Sequence, residues 1–118
     1  LDKENAERRR IASFYIDSLN GTSLQLPIVI PDAEPVWHLM VIRTTRRAEV
    51  QAALTQSQIG HLVHYPTACH KQGAYALQSW PALPIAESLS NQLLSIPIAP
   101  YLSDLDLLQV IDIVKKYA

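Results

Sequence analysis

Cysteine is nearly missing from this sequence. Cys69 is the only one among 118 residues, so no intrachain disulfide can form and a reducing, cytoplasmic setting is expected. Glycine is almost as scarce: Gly21, Gly60 and Gly73 are isolated from one another, which leaves no glycine-rich loop to cradle a phosphate. Charge of one sign is missing too. Ten Lys and Arg stand against eleven Asp and Glu, without the basic excess that nucleic-acid binding requires. No apolar run approaches the roughly 20 residues of a membrane span, and the charged first ten residues do not read as a signal peptide. The only methionine is Met40, so a chain beginning at Leu1 is expected to be a processed or excised piece, or one trimmed to its ordered part.

What remains is the balance of a globular domain. Apolar residues make up 48% and charged residues 18%, enough to close one hydrophobic core over residues 1–118. Ile11, Tyr15 and Leu19 recur every four residues and predict a helix from about Lys3 to Leu19, stopped by Asn20-Gly21. Arg8-Arg9-Arg10, beside Glu4 and Glu7, reads as its solvated face. Gln25 to Ile30, between prolines, predicts an edge or irregular strand. Val36 to Arg43 (VWHLMVIR) is the clearest strand, followed by a helix from about Arg46 to Gln58, capped by Thr44 or Thr45 and ended by Gly60. His61 to Tyr65 predicts another strand, 67–83 a loop with one helical turn, and Ile85 to Leu94 a helix with Pro84 in its first turn. Ser95 to Ala99 predicts a last strand. Ser103 with Asp106 makes a capping-box-like start for a last helix reaching about Lys116. The expected class is α/β, an α+β sandwich with a three- to four-stranded mixed or antiparallel sheet and helices packed on it.

Chemistry concentrates between His61 and His70 (HLVHYPTACH). Three histidines and a cysteine there suggest zinc, yet the paired CxxC and HxxxH spacings are absent, so no metal site is expected. On a strand, the odd spacing of His61 and His64 would also send them to opposite faces. Cys69 and His70 are neighbours without an orienting third group, and a small buried thiol is the simpler reading. A strand ending in Tyr65-Pro66 and running into an irregular loop places His64 and His70 where loops form binding sites.

The same stretch carries a resemblance. Ile59 to Tyr75 resembles the Ile-x-x-x-x-His-Tyr-Pro-x-x-x-His-x-x-x-x-Tyr segment of the DegT/StrS sugar aminotransferases. Asn5, Arg8, Arg9, Ala12 and Tyr15 resemble the family's Asn-x-x-Arg-Arg-x-x-Ala-x-x-Tyr helix. His38-Leu39 with Val41-Ile42-Arg43 resembles its HLYVIR strand, Met40 standing where Tyr is common. Leu83-Pro84, Ala86-Glu87, Leu94-Ser95, Pro97 and Pro100 resemble its LP-x-AE…LSLP-x-x-P run, and Val110 and Ile111 fall in the helix after it. Ala68-Cys69 departs from the usual Pro-Leu before the second histidine. Four pieces in the family's order span nearly the whole chain.

The resemblance implies the C-terminal small domain of a fold type I transaminase. It implies pyridoxal phosphate in the full-length enzyme, an amino donor such as glutamate, a nucleotide-linked keto sugar as acceptor, and a homodimer. His64, His70 and Tyr65 would line the substrate or cofactor cleft. The cofactor's lysine would lie outside this chain, so the 118 residues alone are expected to bind no pyridoxal phosphate and to be inactive, with no catalytic residue here. Two other functions compete: a standalone non-catalytic partner-binding or regulatory module of the same fold, and a small metal-binding protein.

Overall fold

The computed structural model describes residues 1–118. Its elements are α1 (Asp2–Leu19), β1 (Met40–Arg43), α2 (Arg47–Gln56), α3 (Pro84–Gln92), β2 (Leu93–Ile96) and α4 (Asp104–Lys115), with short 3-10 turns at Cys69–Lys71 and Gly73–Tyr75. α1 forms as its four-residue period predicts, burying Ile11, Ala12, Tyr15 and Leu19. Gly21, in the left-handed region at φ 76°, ends it. The predicted capping box of α4 is complete: Ser103 Oγ accepts from Asp106 N–H, and the Asp106 carboxylate accepts from Ser103 N–H.

β1 and β2 pair antiparallel, with Met40 opposite Ile96 and Ile42 opposite Leu94. Those four side chains are buried and share one face, because side chains alternate along a strand. α1, α2 and α4 supply most of the rest of a fifteen-residue core, Ile11, Tyr15, Leu19, Val50, Leu54, Leu107, Val110 and Val114 among them, and Leu24 joins it from the segment after α1. α4 packs against both α1 and α2.

The sheet is narrower than the expected three or four strands. Only β1 and β2 form a ladder; the outer segments contribute single bridges, Gln25 to Arg43 on one side and Leu62 to Ser95 on the other. Pro27 removes a backbone donor two residues after the first bridge, and Pro66 soon follows the second. β1 is also shorter than VWHLMVIR suggested. Trp37 sits at φ 51°, outside the extended region, so pairing starts only at Met40. The guanidinium of Arg8 donates to the carbonyls of both Trp37 (3.4 Å) and Ile98 (3.1 Å), tying α1 to the segments before β1 and after β2. Arg8 is therefore an internal brace, and the solvated-face reading of the arginine run holds only for its neighbours: Arg9 meets Glu34, while Arg10 meets Glu7 and Asp104.

Two smaller expectations also change. Thr44 Oγ1 accepts from Arg46 N–H just ahead of α2, a turn and not a helix cap. The left-handed residue beyond α2 is Gln58 (φ 57°) and not Gly60. α3 buries no side chain and runs straight into β2. The radius of gyration, 15.8 Å, exceeds the ~13.5 Å of a compact domain of this length. The segments 26–39 and 66–83, without helix or paired strand beyond two 3-10 turns, account for this open outline.

Candidate functional site

The sheet face opposite the core is where polar chemistry gathers. Within Leu93–Ile96 the alternation that buries Leu94 and Ile96 inward turns Ser95 outward, and His64 covers it. His64 Nδ1 lies 2.8 Å from Ser95 Oγ. The Leu62 bridge to Ser95 brings the histidine segment to this edge. A cleft of about 290 Å³ opens there, lined by His38, His61, His64, Ser95 and Pro97. His61 and His64 share it, against the expectation of opposite faces, because 61–65 bends away after one bridge instead of continuing as a strand. His61 is itself engaged, its Nδ1 3.1 Å from the carbonyl of Ile59.

His70 occupies a different place. It lies in the 3-10 turn Cys69–Lys71 and lines a second cleft of about 490 Å³ with Lys71, Tyr75, Trp80 and Glu87. Its side chain is only 8% exposed, and Nε2 lies 3.1 Å from Glu87 Oε1. Lys71 Nζ pairs with Glu87 Oε2, and Leu83 N–H donates to Oε1 at 3.2 Å. Glu87 thus collects three donors in the first turn of α3, where the helix dipole also favours a carboxylate. Lys71 first, then His70 and the Leu83 amide, hold its carboxyl well below the usual range, at about 2. Tyr75 and Trp80 pack edge to face at 5.9 Å on the same rim.

The three expected site residues therefore do not share one cleft. His64 and His70 line separate ones, and Tyr65 lines neither: it is 71% exposed, edge-on to the His64 ring at 5.6 Å, across a cis His64–Tyr65 peptide. Cys69 is exposed, not a buried thiol; its neighbour Ala68 turns inward instead. No three His, Cys, Asp or Glu side chains converge as a metal-ligand set. Sequence reasoning passed over Glu87 and Ser95 as site residues. Each carried a signal: a carboxylate three residues after the proline that opens a helix, and a lone hydroxyl in the apolar run LLSIPI.

Pyridoxal phosphate requires an amine free to form a Schiff base and donors for its phosphate. The residues present do not fit it. Lys71 Nζ is held by Glu87, Lys3 lies in the first turn of α1 beside Glu4 and Glu7, and Lys115 and Lys116 lie at the end of α4. The three glycines are scattered singly.

The fold is a two-layer α/β domain with one polar cleft at the sheet face opposite its core and another beside α3. The chain belongs to the DegT/DnrJ/EryC1/StrS aminotransferase family, whose model matches residues 1–115. It is 42% identical over 121 aligned positions to dTDP-3-amino-3,4,6-trideoxy-alpha-D-glucose transaminase of Streptomyces venezuelae, covering all of this chain and 32% of that one. Against dTDP-3-amino-3,6-dideoxy-alpha-D-galactopyranose transaminase of Aneurinibacillus thermoaerophilus it is 36% identical, over 99% of this chain and 32% of the relative. The crystal structure of S. venezuelae DesV in complex with a ketimine intermediate superposes with a TM-score of 0.93, at 41% identity, over 98% of this chain and 32% of that one. The chain thus spans about a third of the length of the relatives it matches. No helix is long and apolar enough to cross a membrane.

Proposed function

We propose that these residues form the C-terminal small domain of a pyridoxal-phosphate-dependent aminotransferase that moves an amino group, from a donor such as glutamate, onto a nucleotide-linked keto sugar. The observation that carries this is the family match over residues 1–115, together with the close likeness to a dTDP-sugar transaminase over a third of its length. The cofactor and its lysine then belong to the rest of the polypeptide, and this chain alone is inactive. His64 and His70, each from its own cleft and each beside a protein partner, face the substrate side of the intact enzyme, with exposed Tyr65 next to His64.

The exposed apolar residues support the reading. Leu62, Tyr75, Leu77, Trp80, Leu83 and Ile85 stand in solvent within one stretch, and Ile28, Ile30 and Val36 do so in another. Large apolar side chains left in solvent in such numbers support cover by other protein, here the remaining domain and the second subunit of a cytoplasmic homodimer. The standalone regulatory module has no observation of its own.

Steady-state kinetics of the full-length protein with a dTDP-linked keto sugar test this. H64A and H70A should each lower kcat/KM by roughly 10- to 100-fold with the circular dichroism spectrum unchanged, and Y65F by less. Wild-type rates in all three variants would remove these residues from the cleft. A stoichiometric cofactor absorbance on the purified 118-residue chain would show that the cofactor site lies within it.

A further inference from the structure

We propose that Glu87 is a positioning residue that holds His70 as its Nε2–H tautomer, so that Nδ1 is the ring's hydrogen-bond acceptor toward a hydroxyl or ammonium donor on the substrate. The functional half of this rests on His70 facing the substrate cleft; the tautomer assignment does not.

The argument is one of donors and acceptors. A carboxylate only accepts, so a contact of 3.1 Å between Glu87 Oε1 and His70 Nε2 needs the proton on Nε2 in either charge state of the ring. In the neutral ring the lone pair then falls on Nδ1, and the second nitrogen's partner fixes what the first can do. The carboxylate is itself fixed. Leu83 N–H donates to the same Oε1, Lys71 holds Oε2, and the residue sits in the first turn of α3. A carboxyl held near 2 remains an acceptor throughout the neutral range. With the side chain 8% exposed, water offers little competition for Nε2. Glu87 is the only protein group that meets the ring through a hydrogen bond, so Nδ1 has no donor within this chain.

His64 shows the contrast. Its Nδ1 partner is the Ser95 hydroxyl, which donates or accepts with equal ease and therefore selects no tautomer.

Long-range proton–nitrogen correlation spectra of the chain labelled with 15N-histidine read the tautomer of each ring directly, and loss of one signal in H70Q assigns His70. At a pH where the ring is neutral, His70 is expected wholly as Nε2–H. E87A should release it to a mixture of both tautomers, while E87Q, whose amide oxygen still accepts, should retain it. A wild-type ring in the Nδ1–H form overturns the inference, whether or not E87A folds, and so does a tautomer that E87A leaves unchanged. In the full-length enzyme E87A should lower kcat/KM roughly 10- to 100-fold and E87Q should recover most of it. If E87A shifts the tautomer while H70A turns over at the wild-type rate, the cleft reading fails and the tautomer assignment stands.

Discussion

Replacing Tyr15 by Phe should stabilise this domain. The Tyr15 side chain is fully buried in the core, between α1 and the elements it packs against, and its hydroxyl has no hydrogen-bond partner. A buried hydroxyl that has left water without replacement costs about 1–3 kcal/mol, whereas the ring's packing survives in Phe. Y15F should therefore raise the unfolding free energy by up to that amount. At ~2.1 cal/mol/K of unfolding entropy per residue, 118 residues give about 0.25 kcal/mol/K, so each kcal/mol moves Tm by about 4 °C. Urea unfolding followed by circular dichroism at pH 7 reads this directly. A second readout comes from alkaline pH. Burial first, then the charge of Asp106, pushes the Tyr15 ionisation well above its ordinary value of 10. A group whose folded value is raised contributes stability that is complete below the unfolded value and is lost as pH climbs above it, because only the unfolded chain gives up the proton. Wild type should thus lose up to about 1.4 kcal/mol per pH unit above pH 10 through this residue, and Y15F should not. A Y15F protein less stable than wild type by 1 kcal/mol or more, with an unaltered alkaline slope, would mean that the hydroxyl is satisfied and the reasoning wrong.

Two further outcomes follow from single contacts. S103A removes the side-chain half of the α4 capping box and should cost about 1 kcal/mol in urea unfolding, the ordinary worth of such a cap; no change would mean that α4 starts without it. Glu87, depressed from 4.5 to about 2, contributes stability that is present above pH 4.5 and lost as pH falls toward 2, since the unfolded carboxyl takes up its proton first. E87Q should flatten that acid limb, and equal acid midpoints for the two proteins would count against the Lys71–Glu87–His70 cluster.

The helices were legible because their information is local. A four-residue apolar period in α1, a Ser-x-x-Asp start for α4 and a proline opening α3 each act within one or two turns, and each appears where the sequence placed it. The sheet was legible only in part. VWHLMVIR has strand composition, but composition does not say where pairing begins, and Trp37 in the left-handed region sets that limit from outside the pattern. The candidate site was least legible. His64 and His70 stand six residues apart and read as one site, yet the chain folds them into two clefts with partners 31 and 17 residues away.

By itself, then, the sequence determined the class of domain and its kinship: one core, four helices near their predicted bounds, and motifs in the family's order from Asn5 to Ile111. Only the tertiary structure decided the width of the sheet, the role of Arg8 and the partners of each histidine. The reason is physical. Periodicity and capping are properties of neighbouring residues, whereas the contacts of Arg8 with Trp37 and Ile98, or of Glu87 with His70, exist only after distant segments have been brought together by burial of the core between them.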